Sequence, residues 1–126
     1  MFINAYDRTA IKRKAAFLLK QKYKMTETEN MITFENDFFS FIVDYERFDN
    51  ISSMHIFFKP EKASFNLGWI AFVRTGLHSD PHQCLQNVLN LLDYVNKSYE
   101  QVTNYQYCKE SQKLVEDFIS SNLKKK

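Results

Sequence analysis

The sequence predicts an α+β domain: a four-stranded antiparallel meander, with an N-terminal helix and two C-terminal helices packed mainly on one face of the sheet. Three observations carry this. Between residues 31 and 74, apolar and polar residues alternate with a period of two, and more than half of the chain's aromatic residues lie in that block. On either side of it, apolar residues recur at spacings of three and four. The connections inside the block are only a few residues long, which allows antiparallel pairing and no parallel crossover.

Taken in order, Asp7 or Thr9 is placed to cap a first helix over residues 8–24. Ile11, Ala15, Leu18, Leu19 and Tyr23 form its apolar stripe, with Lys12, Arg13, Lys20, Lys22 and Lys24 mostly off it. Residues 25–30 are polar and read as a connection. Residues 31–36 make a short first strand, and Asn36-Asp37 a tight turn. Residues 38–48 make the second strand, with Phe39, Phe41, Val43 and Tyr45 on one face. Asp49-Asn50 turns the chain into a third strand over residues 51–59, with Met54, Ile56 and Phe58 inward; Pro60 stops it. The fourth strand is read over residues 64–74, with Phe65, Leu67, Trp69, Ala71 and Val73 on one face and Gly68, Ile70 and Phe72 on the other. Apolar residues on both sides read as a well-covered strand.

Beyond the sheet, Asp80, Pro81 and Gln83 have the residue types of a helix start. Leu85, Val88, Leu89, Leu92 and Val95 continue as a helical stripe. A break over residues 97–104 precedes a last helix over residues 105–123, with Leu114, Val115, Phe118 and Ile119 as its apolar face.

The totals place the chain among ordinary domains. At 126 residues it forms one domain, large enough to fold without disulfide or metal. Two cysteines, Cys84 and Cys108, make no disulfide framework, and no leader pattern or membrane-spanning run is present, so a cytoplasmic protein with reduced thiols is expected. Net charge is +2, but the charges are segregated. Residues 8–24 carry bases and no acid, whereas residues 27–49 carry Glu27, Glu29, Glu35, Asp37, Asp44, Glu46 and Asp49 against the single base Arg47.

Candidate chemistry is sparse. His78, Asp80, His82 and Cys84 are all potential metal ligands within seven residues, but a helix start with two surface histidines and one packed thiol accounts for them more simply. Each cysteine reads as a small buried hydrophobe. The carboxylates sit at hairpin ends, exposed to water and poorly placed for acid–base catalysis, so they read as a solvated acidic edge or a protein-binding patch. The basic first helix, with Tyr6 and Tyr23 near it, carries no nucleic-acid signature, and its apolar stripe is explained by packing on the sheet. With two glycines, no phosphate loop or dinucleotide fingerprint can be built. The expectation is therefore no catalytic residue, no metal, no cofactor, and neither nucleic acid nor membrane as partner.

The stretch Phe65-Asn66-Leu67-Gly68-Trp69-Ile70-Ala71-Phe72, preceded by Asp44-Tyr45-Glu46-Arg47-Phe48-Asp49, resembles small bacterial immunity proteins, the antidotes to polymorphic or contact-dependent toxins. The resemblance is one of pattern, over residues 31–98. It implies a non-enzymatic protein that neutralises a cognate toxin domain by stoichiometric binding. It carries no functional residues of its own. On physical grounds, Glu35, Asp37, Asp44, Glu46 and Asp49 would complement a basic toxin cleft, with Tyr45 and Phe48 as aromatic anchors. Two other readings stay open: a small enzyme or metal-dependent protein using the 78–84 region, and an intracellular adaptor or phage protein that binds a host factor.

Overall fold

The computed structural model describes residues 2–45, 54–80 and 82–124, with Lys124 described by its backbone only. The chain begins with two helical pieces, α1 (Ala5–Lys14) and α2 (Ala16–Lys20). Five strands follow: β1 (Lys24–Glu27), β2 (Met31–Glu35), β3 (Phe39–Asp44), β4 (Met54–Phe58) and β5 (Ala63–Asn66). Four helices close the described chain: α3 (Leu67–Thr75), α4 (Cys84–Lys97), α5 (Tyr99–Val102) and α6 (Tyr105–Lys124). Among the described residues the strands form one antiparallel sheet in the order β1-β2-β3-β4-β5. The α+β class and the meander agree with the sequence reading, but the strand count does not.

The sheet has one strongly apolar face. Register places Ile32 beside Val43, Phe34 beside Phe41, Phe41 beside Ile56, and Ile56 beside Phe65. All of these are buried, together with Met54 and Phe58. The helices cover this face: Tyr23, beyond α2, meets Phe41 at 5.7 Å between ring centroids, and Tyr105 of α6 meets Phe58 at 5.6 Å. Ile11, Leu18, Ile70, Val88, Leu92 and Val95 complete the same cluster. The alternation expected for Phe41, Val43, Met54, Ile56 and Phe58 is therefore what the core uses.

Two elements differ from the sequence reading. The polar connection over residues 25–30 contains β1. Lys24–Glu27 has little burial of its own; it is a strand because it pairs with β2, Lys24 opposite Glu35 and Glu27 opposite Ile32. Thr28 closes the intervening turn, its N–H donating to Met31 O at 2.9 Å and its Oγ1 accepting from Met31 N at 3.1 Å.

The second difference is larger. The strand read over residues 64–74 ends at Asn66, and residues 67–75 are helix α3. Asn66 Oδ1 accepts a hydrogen bond from Trp69 N at 3.1 Å, which caps the new helix. An apolar run satisfies both periodicities: Leu67, Ile70 and Ala71 lie on one helical face as readily as Phe65, Leu67 and Trp69 lie on one strand face. Gly68 is a buried residue of the first turn rather than a gap in a sheet. Gly76, at φ +76°, ends the helix and donates its N–H to Phe72 O.

Smaller corrections concern helix ends. Asn4 caps α1 in place of Asp7 or Thr9, its Oδ1 accepting from Asp7 N at 2.8 Å. The first helix breaks at Ala15 and gives way at Lys22, whose φ is +68°. Asp80 does not cap α4. Its Oδ1 accepts from His82 N, while buried Asn87 accepts from Asp80 N and donates to Asp80 O. Pro81 lies outside the described residues, as do the Asp49-Asn50 turn and the hairpin tip around it. The expected break after α4 holds the short α5, and Asn104 caps α6 by accepting from Tyr107 N at 2.9 Å. Of the face expected for the last helix, only Val115 is buried; Leu114, Phe118 and Ile119 are exposed. No described helix is long and apolar enough to cross a membrane.

Two substitutions test this frame. Phe41→Ala removes a fully buried ring from the sheet's centre and should cost about 3–5 kcal/mol, read from the urea midpoint. Gly76→Ala meets nothing within 4 Å of its new Cβ, so its cost is backbone strain alone, about 1 kcal/mol in the same assay.

Candidate interaction surface

The acidic residues singled out by the sequence separate into two groups at opposite ends of β3, a strand about 17 Å long. Glu35 and Asp37 lie at its start, and Asp44 at its end. Glu46, Phe48 and Asp49 lie outside the described residues.

At the first end, Asn36 builds the turn. Its Oδ1 accepts from Phe38 N at 2.9 Å and from Phe39 N at 2.8 Å, while its own N–H donates to Phe39 O at 3.0 Å. Lys59 N donates to Phe38 O at 2.9 Å, tying the turn to the end of β4. Phe39 packs inward, edge-on to Phe58 at 5.4 Å. Phe38, its ring 6.2 Å from that of Phe39, remains 58% exposed, with Asp37 exposed beside it. An open groove of about 380 Å³ runs along this turn, lined by Phe38, Asp37, Glu35, Lys22, Lys24 and Lys59 among others. Glu35 is ion-paired with Lys59 at 3.0 Å. The groove is thus of mixed charge with one displayed aromatic ring. Phe38 was passed over in the sequence as a strand residue; the adjacent Asn-Asp turn was the signal that could have marked it.

At the other end, Tyr45 corrects an expectation. It is 2% exposed, and its hydroxyl donates to Asp7 Oδ2 at 3.1 Å. Burial pushes its phenol pKa up, and the Asp7 and Cys84 side chains push in the same direction. Tyr45 anchors α1 to the sheet and offers no ring to a partner. Asp44 is half-buried and sits opposite Met31.

The 78–84 region is arranged by packing. The His78 ring lies on Phe72 at 5.1 Å, and Asp80 is engaged in its own turn. Cys84 is half-buried, and burial followed by the neighbouring Asp7 raises its thiol pKa, the opposite of what a nucleophile needs. Burial pushes the Cys108 thiol up to about 12, and it donates to Val102 O at 3.3 Å. Among the described residues no three His, Cys, Asp or Glu side chains are grouped to hold a metal ion.

The basic first helix is partly consumed internally. Arg8 donates to Ile3 O, Thr28 O and Glu29 O and pairs with Glu27 Oε1 at 3.0 Å. Lys12 pairs with Glu27 Oε2 at 3.1 Å, and Lys14 with Asp93 at 3.8 Å. Tyr23 is buried with its hydroxyl 2.6 Å from that of Tyr99, so it is unavailable for stacking; Tyr6 is exposed.

A second apolar surface lies between α3 and α6. Phe118 meets Phe72 at 5.0 Å and Trp69 at 6.2 Å, and Leu114, Ile119 and Leu123 are exposed nearby.

No protein-family model, curated protein or solved structure matches this chain.

The Arg8–Glu27–Lys12 cluster predicts a pH effect. Hydrogen bonds from Arg8, then from Lys12, hold the Glu27 carboxyl below its ordinary value. A depressed folded-state pKa contributes stability that is fully present above the unfolded carboxylate pKa and is lost as pH falls through the folded value. Urea midpoints of the parent and Glu27→Gln should therefore differ at neutral pH and converge below about pH 4.

Proposed function

We propose that this chain is a non-enzymatic binding protein, an immunity protein that neutralises a cognate bacterial toxin domain in the cytoplasm by stoichiometric binding. The observation that supports this reading is Phe38. It is a large apolar ring left largely exposed at a turn whose backbone is fixed through Asn36 and Lys59. A preorganised aromatic residue loses little entropy on docking, and such residues dominate interface energetics. Asp37 beside it supplies an uncommitted carboxylate, suited to a basic cleft of the kind found in toxins that cut nucleic acid. Asp44 and the 46–49 segment extend the acidic character along the chain.

Co-expression with the product of the adjacent gene should yield a 1:1 complex. Phe38→Ala should weaken it at least tenfold, about 1.4 kcal/mol. Asp37→Lys should slow association and flatten its salt dependence. A complex whose affinity and association rate ignore both changes would remove the β2–β3 turn as the interface. Failure of any neighbouring gene product to bind would remove the immunity reading itself.

A further inference from the structure

The end of α2, the β2–β3 turn and the end of β4 meet around the open groove of about 380 Å³. One wall is the passage from α2 to β1. There Lys22 and Lys24 flank Tyr23, which is buried against Phe41 and held through its hydroxyl by Tyr99. The other wall is the turn, with the exposed carboxylate of Asp37 and the exposed ring of Phe38. Lys59 also lines the groove, but Glu35 pairs with it at 3.0 Å. Lys22 and Lys24 are exposed, and among the described residues no acid pairs with either. Lys22 also holds φ +68°, a left-handed backbone that glycine adopts without strain.

We propose that this groove binds a nucleoside phosphate. Phe38 offers its face to the base, Lys22 and Lys24 meet the phosphate, and Asp37 accepts hydrogen bonds from the ribose hydroxyls. A stacking ring beside basic side chains is how proteins hold unpaired nucleotides, and a carboxylate is the usual acceptor for ribose hydroxyls. Both walls are preorganised: Asn36 and Lys59 fix the turn, and Tyr23 fixes the chain between the two lysines. Little freedom is therefore lost on binding. The volume lies at the low end of the roughly 300–1,000 Å³ of small-molecule sites, which suits one nucleotide. A nucleic-acid strand is the poorer occupant, because Arg8 and Lys12, the residues of α1 that could extend the basic track, pair with Glu27. The inference does not rest on the toxin-binding reading. Its test contains no partner protein, so the failure of one leaves the other standing.

The test is titration of the full chain with AMP, adenosine and inorganic phosphate, read from the amide chemical shifts of Lys22, Lys24, Asp37 and Phe38. Stacking accepts every base, so AMP stands for the class. AMP should saturate these shifts, adenosine and phosphate should each bind at least about tenfold more weakly, and AMP affinity should fall as salt is raised. Phe38→Ala should weaken AMP about tenfold and leave phosphate unchanged. Lys22→Gly with Lys24→Gln should weaken both AMP and phosphate, and glycine suits the backbone at position 22, so the fold is retained. Asp37→Ala should weaken AMP, whereas a carboxylate that merely repelled the phosphate would make the same change tighten it. The proposal is overturned if AMP does not saturate these shifts, or if any of the three variants leaves AMP binding unchanged or tightens it. It is equally overturned if a single-stranded oligonucleotide binds through the same residues at least about tenfold more tightly than AMP, because the groove would then be part of a nucleic-acid interface.

Discussion

The hydrogen bond from Trp69 N to Asn66 Oδ1 is the constraint on which the rest of this architecture depends. It ends the sheet's last strand and begins a helix with no intervening loop. Phe65 is thereby left on the sheet, edge-on to Phe58, while four residues later Trp69 belongs to a different layer. Had the strand continued, Ile70 and Ala71 would lie on opposite faces of a sheet; as helix, both turn into the same core. The cap also fixes which residues α6 can reach. Tyr105 packs on Phe58 and Phe65, and between three and four turns later Phe118 packs on Trp69 and Phe72. One long helix therefore fastens the sheet to the helix that follows it.

The other end of the sheet is held by charge. Arg8 gathers the backbone carbonyls of Ile3, Thr28 and Glu29 with the carboxylate of Glu27. Several charge-assisted bonds from one rigid guanidinium fix a turn more firmly than exposed ion pairs do. The charge segregation seen along the chain has a structural use here, because the basic helix lies against the acidic β1–β2 turn. Bases that pair inward are unavailable to a nucleic acid, and Glu27 is unavailable to a basic partner. The carboxylates left to the surface are fewer than the sequence suggests.

What the sequence made legible follows from which forces are local. β2, β3 and β4 were readable because one face of each is buried, and burial writes itself as alternation in Ile32, Phe34, Phe41, Val43, Met54, Ile56 and Phe58. β1 was not readable because Lys24–Glu27 buries little and becomes a strand only through pairing with β2. The 67–75 helix was misread because an apolar run carries both periods, and its cap, a single asparagine, was absorbed into the strand. The same limit applies to the surface. The exposure of Asp37 was readable because an acid in a turn needs no tertiary contact to stay at the surface. Tyr45 was misassigned because its partner, Asp7, lies 38 residues away, on the first helix. Phe38 and the uncovered end of α6 were missed because exposure is a property of neighbours.

An exposed ring such as Phe38 is not a requirement of folding. In the β2–β3 turn, Asn36 supplies the hydrogen bonds and Phe39 the packing, so a polar residue at position 38 would leave both intact. On α6, Cys108 belongs to the core and Tyr105 and Tyr107 pack against it, and serine at 119 or 123 would leave those contacts unchanged. An apolar side chain held in water adds to the risk of association with the wrong partner and contributes little to the native state. Single exposed residues need no explanation, but these two sets differ from scatter. One is a single ring carried on a turn held by four hydrogen bonds, and the other is a group of apolar side chains along one helix end.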